Sequence, residues 1–289
     1  MAVVPRYPYV EARVLDEDAD EAGALLFELG AQGVELRDDS TMVRAEPGTT
    51  TLIASFHSED QAREAMSQLS AEWSARLGEV IGDSWRDEWK KHFEPFAVCP
   101  SVVVRPPWRA YEPGPGERVI VLEPGRAFGT GLHETTSLVA RALAERSDSV
   151  RGSTVLDVGC GSGILALVAL ELGAGTAWAI DVDPDAVAVA CENAARNARA
   201  PKLRADTTPL EDVVGRFGVV LANIEAKTLV QIAPALSSRV SPGGWVVLSG
   251  ILGPEVDASQ WRDVREAYAH MKVEELTHNG QWLAAVMRA

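Results

Sequence analysis

The sequence predicts an α/β protein with a doubly wound, mostly parallel sheet in residues 119–289 and a small α+β domain in residues 1–82. Two patterns carry this prediction. Residues 150–289 alternate short apolar runs with helical runs, which is typical of parallel strands buried on both faces. The first eighty residues alternate in the order strand, helix, strand, strand, helix, strand. Residues 83–118 hold several prolines and tryptophans and are predicted to connect the two domains, beginning with a short helix.

In the first domain, "YPYVEARVL" alternates like a strand, and "DEDADEAGALLFELGA" has helical spacing that ends at Gly30 and Gly33. "VELRDD" and "TTTLIASF" are predicted strands joined by a turn at Pro47-Gly48. "SEDQAREAMSQLSAEW" is a predicted helix capped by Ser58, and "ARLGEVIG" is the last strand. This β-α-β-β-α-β order is that of the ferredoxin-like fold.

In the second domain, the predicted strands are "STVLDVG", "AWAIDVD", "GVVLANI" and "GGWVVLSGI". Helical patterns separate them, so the strands are expected to run parallel. The tail "VEELTHNGQWLAAVMRA" is predicted to form two antiparallel strands, because Asn279-Gly280 is a strong hairpin turn signal.

Charge and composition narrow the possible functions. The 289 residues are 46% hydrophobic and 24% charged, with a net charge of −15 and a pI of about 4.8. Residues 1–80 hold 16 acidic and 6 basic side chains, so most of the excess lies in the first domain. Such a chain is a poor nucleic-acid binder, since phosphate contacts dominate that affinity. It suits a basic protein partner, although solubility alone would also explain the charge.

Cysteine spacing and hydropathy indicate a cytoplasmic protein. Cys99, Cys160 and Cys191 show neither a zinc-ligand spacing nor a disulfide framework. No signal peptide is evident, and no apolar run reaches the roughly 18–20 residues of a membrane helix.

The informative segment is "VLDVGCGSGILALVAL", a strand, a glycine-rich turn and a helix. A phosphate loop would need a lysine after the turn, and a dinucleotide site would place the third glycine one residue later. An acid, Asp157, followed by Gly159, Gly161 and Gly163 is instead typical of S-adenosyl-L-methionine (AdoMet) enzymes. The glycines allow close backbone approach, and an acidic residue suits the cationic ligand. Cys160 is interpreted as a small loop residue.

Further acids follow the next two predicted strands. Asp181 ends a strand and can accept both ribose hydroxyls of the cofactor. Asp183 is interpreted as the cap of the helix that begins at Pro184. Asp206 is a candidate for an adenine contact or for a helix cap.

Two more segments complete the predicted cofactor and transfer site. "FGTGLHETT" lacks the HExxH spacing of a metal site, so it is interpreted as a turn that leads into a helix. Thr135 and Thr136 then lie beside the methionine tail, and His133 is either a base or a hydrogen-bonding residue of the turn. Asn223, in "LANIEA", is the predicted catalytic residue because its side chain can orient an incoming amine.

Several segments lie in order within residues 85–252: "DEWKKHFEPF", "PGRAFGTGLHETT", "LDVGCGSGILA", "DVDPDAV", "ANIEA", "SPGG" and "LSGIL". Together they resemble the bacterial ribosomal protein L11 methyltransferase (PrmA) family. The resemblance implies AdoMet-dependent methylation of lysine side chains and of the N-terminal amine of that ribosomal protein. It also implies that the first domain recognises the substrate and that four residues line the cofactor site: Thr136, Gly159, Asp181 and Asn223. Glu134 stands where many members have proline.

The expected partner is therefore a basic protein substrate. The enzyme is expected to be a monomer without nucleic-acid specificity. The alternatives are a lysine methyltransferase for another protein, such as an electron-transfer flavoprotein subunit, and a small-molecule methyltransferase. A ligand-binding regulator is disfavoured by Asn223, and a nicotinamide oxidoreductase by the position of the third glycine.

Overall fold

A computed structural model describes residues 6–37, 48–70, 72–81, 93–123 and 131–289. The chain divides into two compact units, Met1–Phe93 (unit 1) and Glu94–Ala289 (unit 2). The predicted helix at the start of the connector and the turn at Pro47 lie outside the described residues. The predicted domain limits at residues 82 and 118 stay predictions.

Unit 1 is a four-stranded antiparallel sheet with two helices, and its strand order is β2-β3-β1-β4. The elements are β1 (Arg6–Leu15), α1 (Ala19–Glu28), β2 (Gly33–Arg37), β3 (Thr49–Ser55), α2 (Glu59–Ser67) and β4 (Ser74–Ile81). The ferredoxin-like prediction is confirmed. Its core packs apolar residues of the sheet against both helices, including Val10, Leu26, Leu52 and Ala62. Ser58 caps α2 as predicted, accepting a hydrogen bond from the Gln61 amide at 3.3 Å.

Unit 2 begins with a three-stranded sheet. Its strands are β5 (Phe96–Cys99), β6 (Val102–Arg105) and β7 (Arg118–Val121). β5 pairs antiparallel with β6, whereas β6 and β7 run parallel. β5, β6 and the first residue of β7 fall within residues 83–118, the predicted connector. Their buried side chains, such as Val104 and Ile120, join the core of the following α/β fold.

The rest of unit 2 is a seven-stranded sheet in the order β10-β9-β8-β11-β12-β14-β13. The strands are β8 (Thr154–Val158), β9 (Thr176–Ile180), β10 (Leu203–Asp206), β11 (Phe217–Asn223), β12 (Val240–Leu252), β13 (Lys272–Asn279) and β14 (Trp282–Arg288). The helices are α3 (Glu134–Glu145), α4 (Ser147–Val150), α5 (Ile164–Glu171), α6 (Pro184–Arg196), α7 (Ala226–Ser238) and α8 (Pro254–Ala267).

The first five strands in this order are parallel, and β14 is antiparallel to both of its neighbours. This confirms the predicted Rossmann-like fold with its C-terminal hairpin. Gly280 has φ +56° in the turn of that hairpin, a conformation that favours glycine. Within the described ranges, no helix is both long enough and apolar enough to cross a membrane.

Both faces of this sheet are buried, because alternate residues of each strand join opposite cores. Val155 and Val219 pack on one face, and Leu156 and Val220 pack on the other. The sheet grows outward in opposite directions from β8 and β11. Ligands of open α/β sheets bind at the carboxyl ends of the strands on either side of such a reversal.

Candidate functional site

The loops that follow the parallel strands β8, β9, β11 and β12 leave the carboxyl edge of the seven-stranded sheet. The start of α3 lies beside this edge, where the Thr135 carbonyl is 3.4 Å from the Ser249 hydroxyl. A hydrogen bond of 3.2 Å from the Ile224 amide to the Ser249 carbonyl joins the loop after β11 to β12. Bonds of 2.9 and 3.1 Å from the amides of Gly159 and Cys160 to the Ile180 carbonyl join the loop after β8 to the end of β9. All eight residues of the predicted site lie in or beside these loops.

Gly159, Gly161 and Gly163 have φ values of +71°, +52° and +76°. A Cβ on Gly159 would lie 2.4 Å from Cγ2 of Ile224, and a Cβ on Gly163 would lie 3.0 Å from Cβ of Ala190. Backbone conformation and close packing therefore both favour glycine at these two positions. The loop keeps its backbone bare at the carboxyl end of β8, where a ligand can approach it closely.

Asp181 is held in one orientation at the tip of β9. One carboxylate oxygen accepts the Gly161 amide at 2.8 Å, and the other accepts the Asp183 amide at 3.0 Å. Each oxygen retains a further lone pair, so the carboxylate can accept two hydroxyl groups at once. Val182, the next residue, is 97% exposed. This exposed apolar side chain lies beside the Asp181 carboxylate and offers a surface for a flat, apolar face of a ligand. The sequence analysis did not single out Val182.

Asp157 is fully buried in β8. Its Oδ2 accepts the amide of Ala166 at 3.1 Å, so it caps the first turn of α5 in place of Gly163, which has no side chain. Its Oδ1 has no hydrogen-bond partner among the described residues. Burial, with a smaller contribution from the charge of Asp181, raises the pKa of Asp157 to about 7. A cation nearby would offset that cost, so this buried carboxyl fits a positively charged ligand.

The start of α3 forms another wall of the site. Thr135 and Thr136 are buried there. Nδ1 of His133 lies 2.8 Å from the Thr135 hydroxyl and accepts the Thr135 amide at 3.4 Å. His133 therefore caps the helix, and its predicted hydrogen-bonding role in the turn is confirmed. Glu134 occupies the first helical position, where proline is common and where an acid is stabilised by the helix dipole.

Asn223 ends β11 and is half-buried beside Ser249 of β12. None of the described residues hydrogen-bonds its side chain, which leaves the amide group available to a substrate. Sequence reasoning missed Ser249 and Gly250, although their segment "LSGIL" was one of those that carried the resemblance.

The remaining candidates are already engaged. Asp183 caps α6 as predicted, accepting the Asp185 amide at 2.8 Å. Asp206 accepts hydrogen bonds from Trp178, Arg204 and Thr208. Burial alone would raise the pKa of Asp206, but these hydrogen bonds together hold that pKa below its usual value.

Cys160 is buried, and this burial, with the neighbouring charges of Asp157 and Asp181, raises the pKa of its thiol. Because the thiolate is the reactive form, Cys160 is a poor nucleophile.

The sheet order, the glycine loop after β8 and the oriented acid after β9 define an AdoMet-dependent methyltransferase. Comparison with known proteins gives the particular family. The pattern of the ribosomal protein L11 methyltransferase (PrmA) family matches residues 6–289, and the chain belongs to that family.

The ribosomal protein L11 methyltransferase of Sorangium cellulosum is 55% identical over 258 residues, which cover 88% of this chain and 81% of that protein. The one from Geobacter metallireducens is 37% identical over 298 residues, covering 97% and 96% of the two chains. A crystal structure of a ribosomal protein L11 methylase from Lactobacillus delbrueckii subsp. bulgaricus is 32% identical. It superposes with a TM-score of 0.60 and covers 68% of this chain and 98% of that one.

Proposed function

We propose that this methyltransferase modifies the amines of ribosomal protein L11, both lysine side chains and the N-terminal amine. The extent of the family match carries the proposal, because residues 6–289 include both compact units and not only the cofactor-binding fold. No observation favours an electron-transfer flavoprotein subunit or a small molecule as the substrate. The enzyme acts as a monomer in the cytoplasm in this proposal.

AdoMet fits the carboxyl edge of the sheet. Asp181 accepts the two ribose hydroxyls, since hydrogen bonds from two backbone amides already fix its carboxylate. Val182 covers one face of the adenine, which explains why so apolar a side chain is exposed. The loop of Gly159, Gly161 and Gly163 lets the backbone approach the ligand.

The methionine end of AdoMet lies between the start of α3 and the glycine loop. Thr135 and Thr136 border it, and the charge of Asp157 favours the sulfonium and the ammonium group from beneath the loop. Because Asp157 is fully buried and caps α5, it acts through its charge and through the position of the loop. AdoMet, when bound, supplies a methyl group activated by its sulfonium.

Asn223 orients the incoming amine. A lysine has a pKa of about 10.4, so presenting it as the neutral nucleophile at pH 7 costs about 4.6 kcal/mol. Transfer from water to a half-buried site beside a positive charge lowers that cost. The free amide of Asn223 accepts a hydrogen bond from the amine and aims its lone pair, and such positioning can contribute up to about 7–11 kcal/mol.

Unit 1 recognises the protein substrate in this proposal. Its surface is acidic, with 16 acidic and 6 basic residues in residues 1–80. A basic ribosomal protein is attracted to such a surface, and complementary charge mainly speeds the encounter.

The test is intact mass spectrometry of purified L11 after incubation with the enzyme and labelled AdoMet. Mass gains in steps of one methyl group are expected with the wild-type enzyme. Asn223→Ala is expected to lower kcat at least 100-fold, because the amine loses the group that orients it. The melting temperature is expected to change little, because the side chain has no partner among the described residues.

An enzyme that binds AdoMet but leaves L11 unmodified would refute the substrate. Near-full activity of Asn223→Ala would refute the role of that residue and leave the substrate untouched.

A further inference from the structure

Ser249 and Gly250 of β12 touch both walls of the transfer site. The segment "LSGIL" that contains them has no role in the proposed function so far. Ser249 pairs with Asn223 across the parallel strands β11 and β12, so it lies next to the residue proposed to orient the amine.

The side chain of Ser249 is fully buried, yet it is polar. Its hydroxyl lies 3.4 Å from the carbonyl of Thr135, at the start of α3, and 3.4 Å from the carbonyl of Leu283 in β14. The single hydroxyl proton is therefore shared between two carbonyls, one on a wall of the site and one in β14. A buried hydroxyl is costly unless it is hydrogen-bonded, so this geometry ties α3 to the sheet.

The backbone of Ser249 holds the other wall. Its carbonyl accepts the amide of Ile224 at 3.2 Å, immediately after Asn223. One residue thus binds α3 through its side chain and the turn after β11 through its main chain.

Gly250 allows β12 to approach the turn after β11 closely enough for the hydrogen bond between Ser249 and Ile224. The pairing of β12 with β14 shifts by one residue between Leu248 and Ile251, which is a β-bulge, a feature common beside active sites. Gly250 has φ +85° within this bulge. A Cβ there would lie 2.3 Å from the carbonyl oxygen of Ile224. Because this oxygen belongs to the backbone, no change of side-chain rotamer could relieve the clash. Both the conformation and the close approach require glycine.

We infer that the Ser249–Gly250 bulge is a positioning element for methyl transfer, which fixes the separation between the start of α3 and the turn that carries Asn223. The inference rests on the proposed function, which places the methionine end of AdoMet at the first wall and the amine at the second. Methyl transfer is sensitive to that separation, since a misplacement of about 1 Å can lower a rate by about 100-fold.

The test compares Ser249→Ala with Ser153→Ala. Ser153 also donates its hydroxyl to a backbone carbonyl, that of Val150 at 2.7 Å, but at the amino end of β8, opposite the site. Ser249→Ala is expected to lower kcat about 10-fold to 100-fold and to weaken AdoMet binding several-fold, with the KM for L11 unchanged within twofold. Ser153→Ala is expected to change the melting temperature alone.

A kcat of Ser249→Ala within twofold of wild type, with an unchanged AdoMet dissociation constant, would overturn the inference. So would equal losses of kcat in the two variants, since these would reflect stability alone. Ser249→Cys, which keeps the size of the side chain and donates only weakly, replaces the alanine variant if the latter fails to fold. If wild-type enzyme leaves L11 unmodified, the proposed function fails, and the AdoMet affinities of the two variants still decide the inference.

Discussion

Unit 1 and the carboxyl edge of unit 2 differ in which polar side chains they bury and in how far they expose apolar ones. Among the described residues of unit 1, the buried side chains are apolar except for Thr50 and Thr51, and Thr50 donates to Asp16 at 2.8 Å. The carboxyl edge of unit 2 buries the carboxyl of Asp157 with one oxygen unpaired and exposes Val182 almost completely. Unit 1 also exposes apolar side chains, but only about half of each, as in Leu15, Phe27 and Leu36. The edge of unit 2 combines a buried oxygen without a partner and an almost fully exposed valine, and both features cost stability. Such departures mark functional sites, because a ligand compensates for them.

The largest expected effect separates cofactor binding from the fold. Asp181→Ala is expected to raise the AdoMet dissociation constant about 100-fold, because hydrogen bonds to a charged acceptor contribute about 1.5–3 kcal/mol each. Isothermal titration calorimetry measures this change.

Asp206→Ala is the matched control, since Asp206 ends the neighbouring strand β10 but already binds Trp178, Arg204 and Thr208. Its AdoMet affinity is expected to stay within threefold of wild type. Equal losses of AdoMet affinity in the two variants would show that the free lone pairs of Asp181 do not give it a special role in binding.

The next effect concerns the buried acid of unit 2. Burial raises the pKa of Asp157 to about 7 in the folded protein, whereas the unfolded chain ionises it near 3.8. Between these values the folded state binds more protons, so its stability falls as pH rises from about 4 to about 7 and then levels. Asp157→Asn removes this titration.

Urea unfolding at pH 5 and pH 8 measures the difference. Between pH 5 and pH 8, the unfolding free energy of the wild type is expected to fall by about 2 kcal/mol more than that of Asp157→Asn. The same pH dependence in both proteins would show that Asp157 does not titrate in this range.

The smallest expected effect belongs to unit 1. Glu21 and Glu28 are exposed on α1. Reversing both charges, Glu21→Lys with Glu28→Lys, is expected to raise the KM for L11 about threefold at low salt and less at high salt, because salt screens exposed charges. The kcat and the AdoMet dissociation constant stay unchanged.

The matched control reverses two exposed acids of unit 2, Asp148→Lys with Glu266→Lys. A KM that rises equally in both double variants would assign the effect to net charge, and not to the surface of unit 1.

Much of the fold followed from local patterns. Alternation and capping predicted the order of elements in unit 1, including the Ser58 cap, and glycine at position 280 predicted the C-terminal hairpin. The three-stranded sheet at the start of unit 2 was not predicted. β6 and β7 pair in parallel, although the twelve residues between them are rich in proline and glycine and by themselves predict only a loop. Parallel pairing between short strands leaves no turn signal in the sequence.

The sequence by itself determined which strands end in which polar residues: Asp157, Asp181, Asp206 and Asn223. Because carboxyl ends of parallel strands meet at one edge, that order was enough to locate the site. Tertiary structure decided what each residue is free to do. Asp206 accepts a hydrogen bond from Trp178 of the neighbouring strand β9, while Asp181 keeps lone pairs for a ligand. Likewise, Ser249 reaches the start of α3, 114 residues away in sequence. Hydrogen-bond partners of this kind depend on distances between elements, which no local pattern encodes.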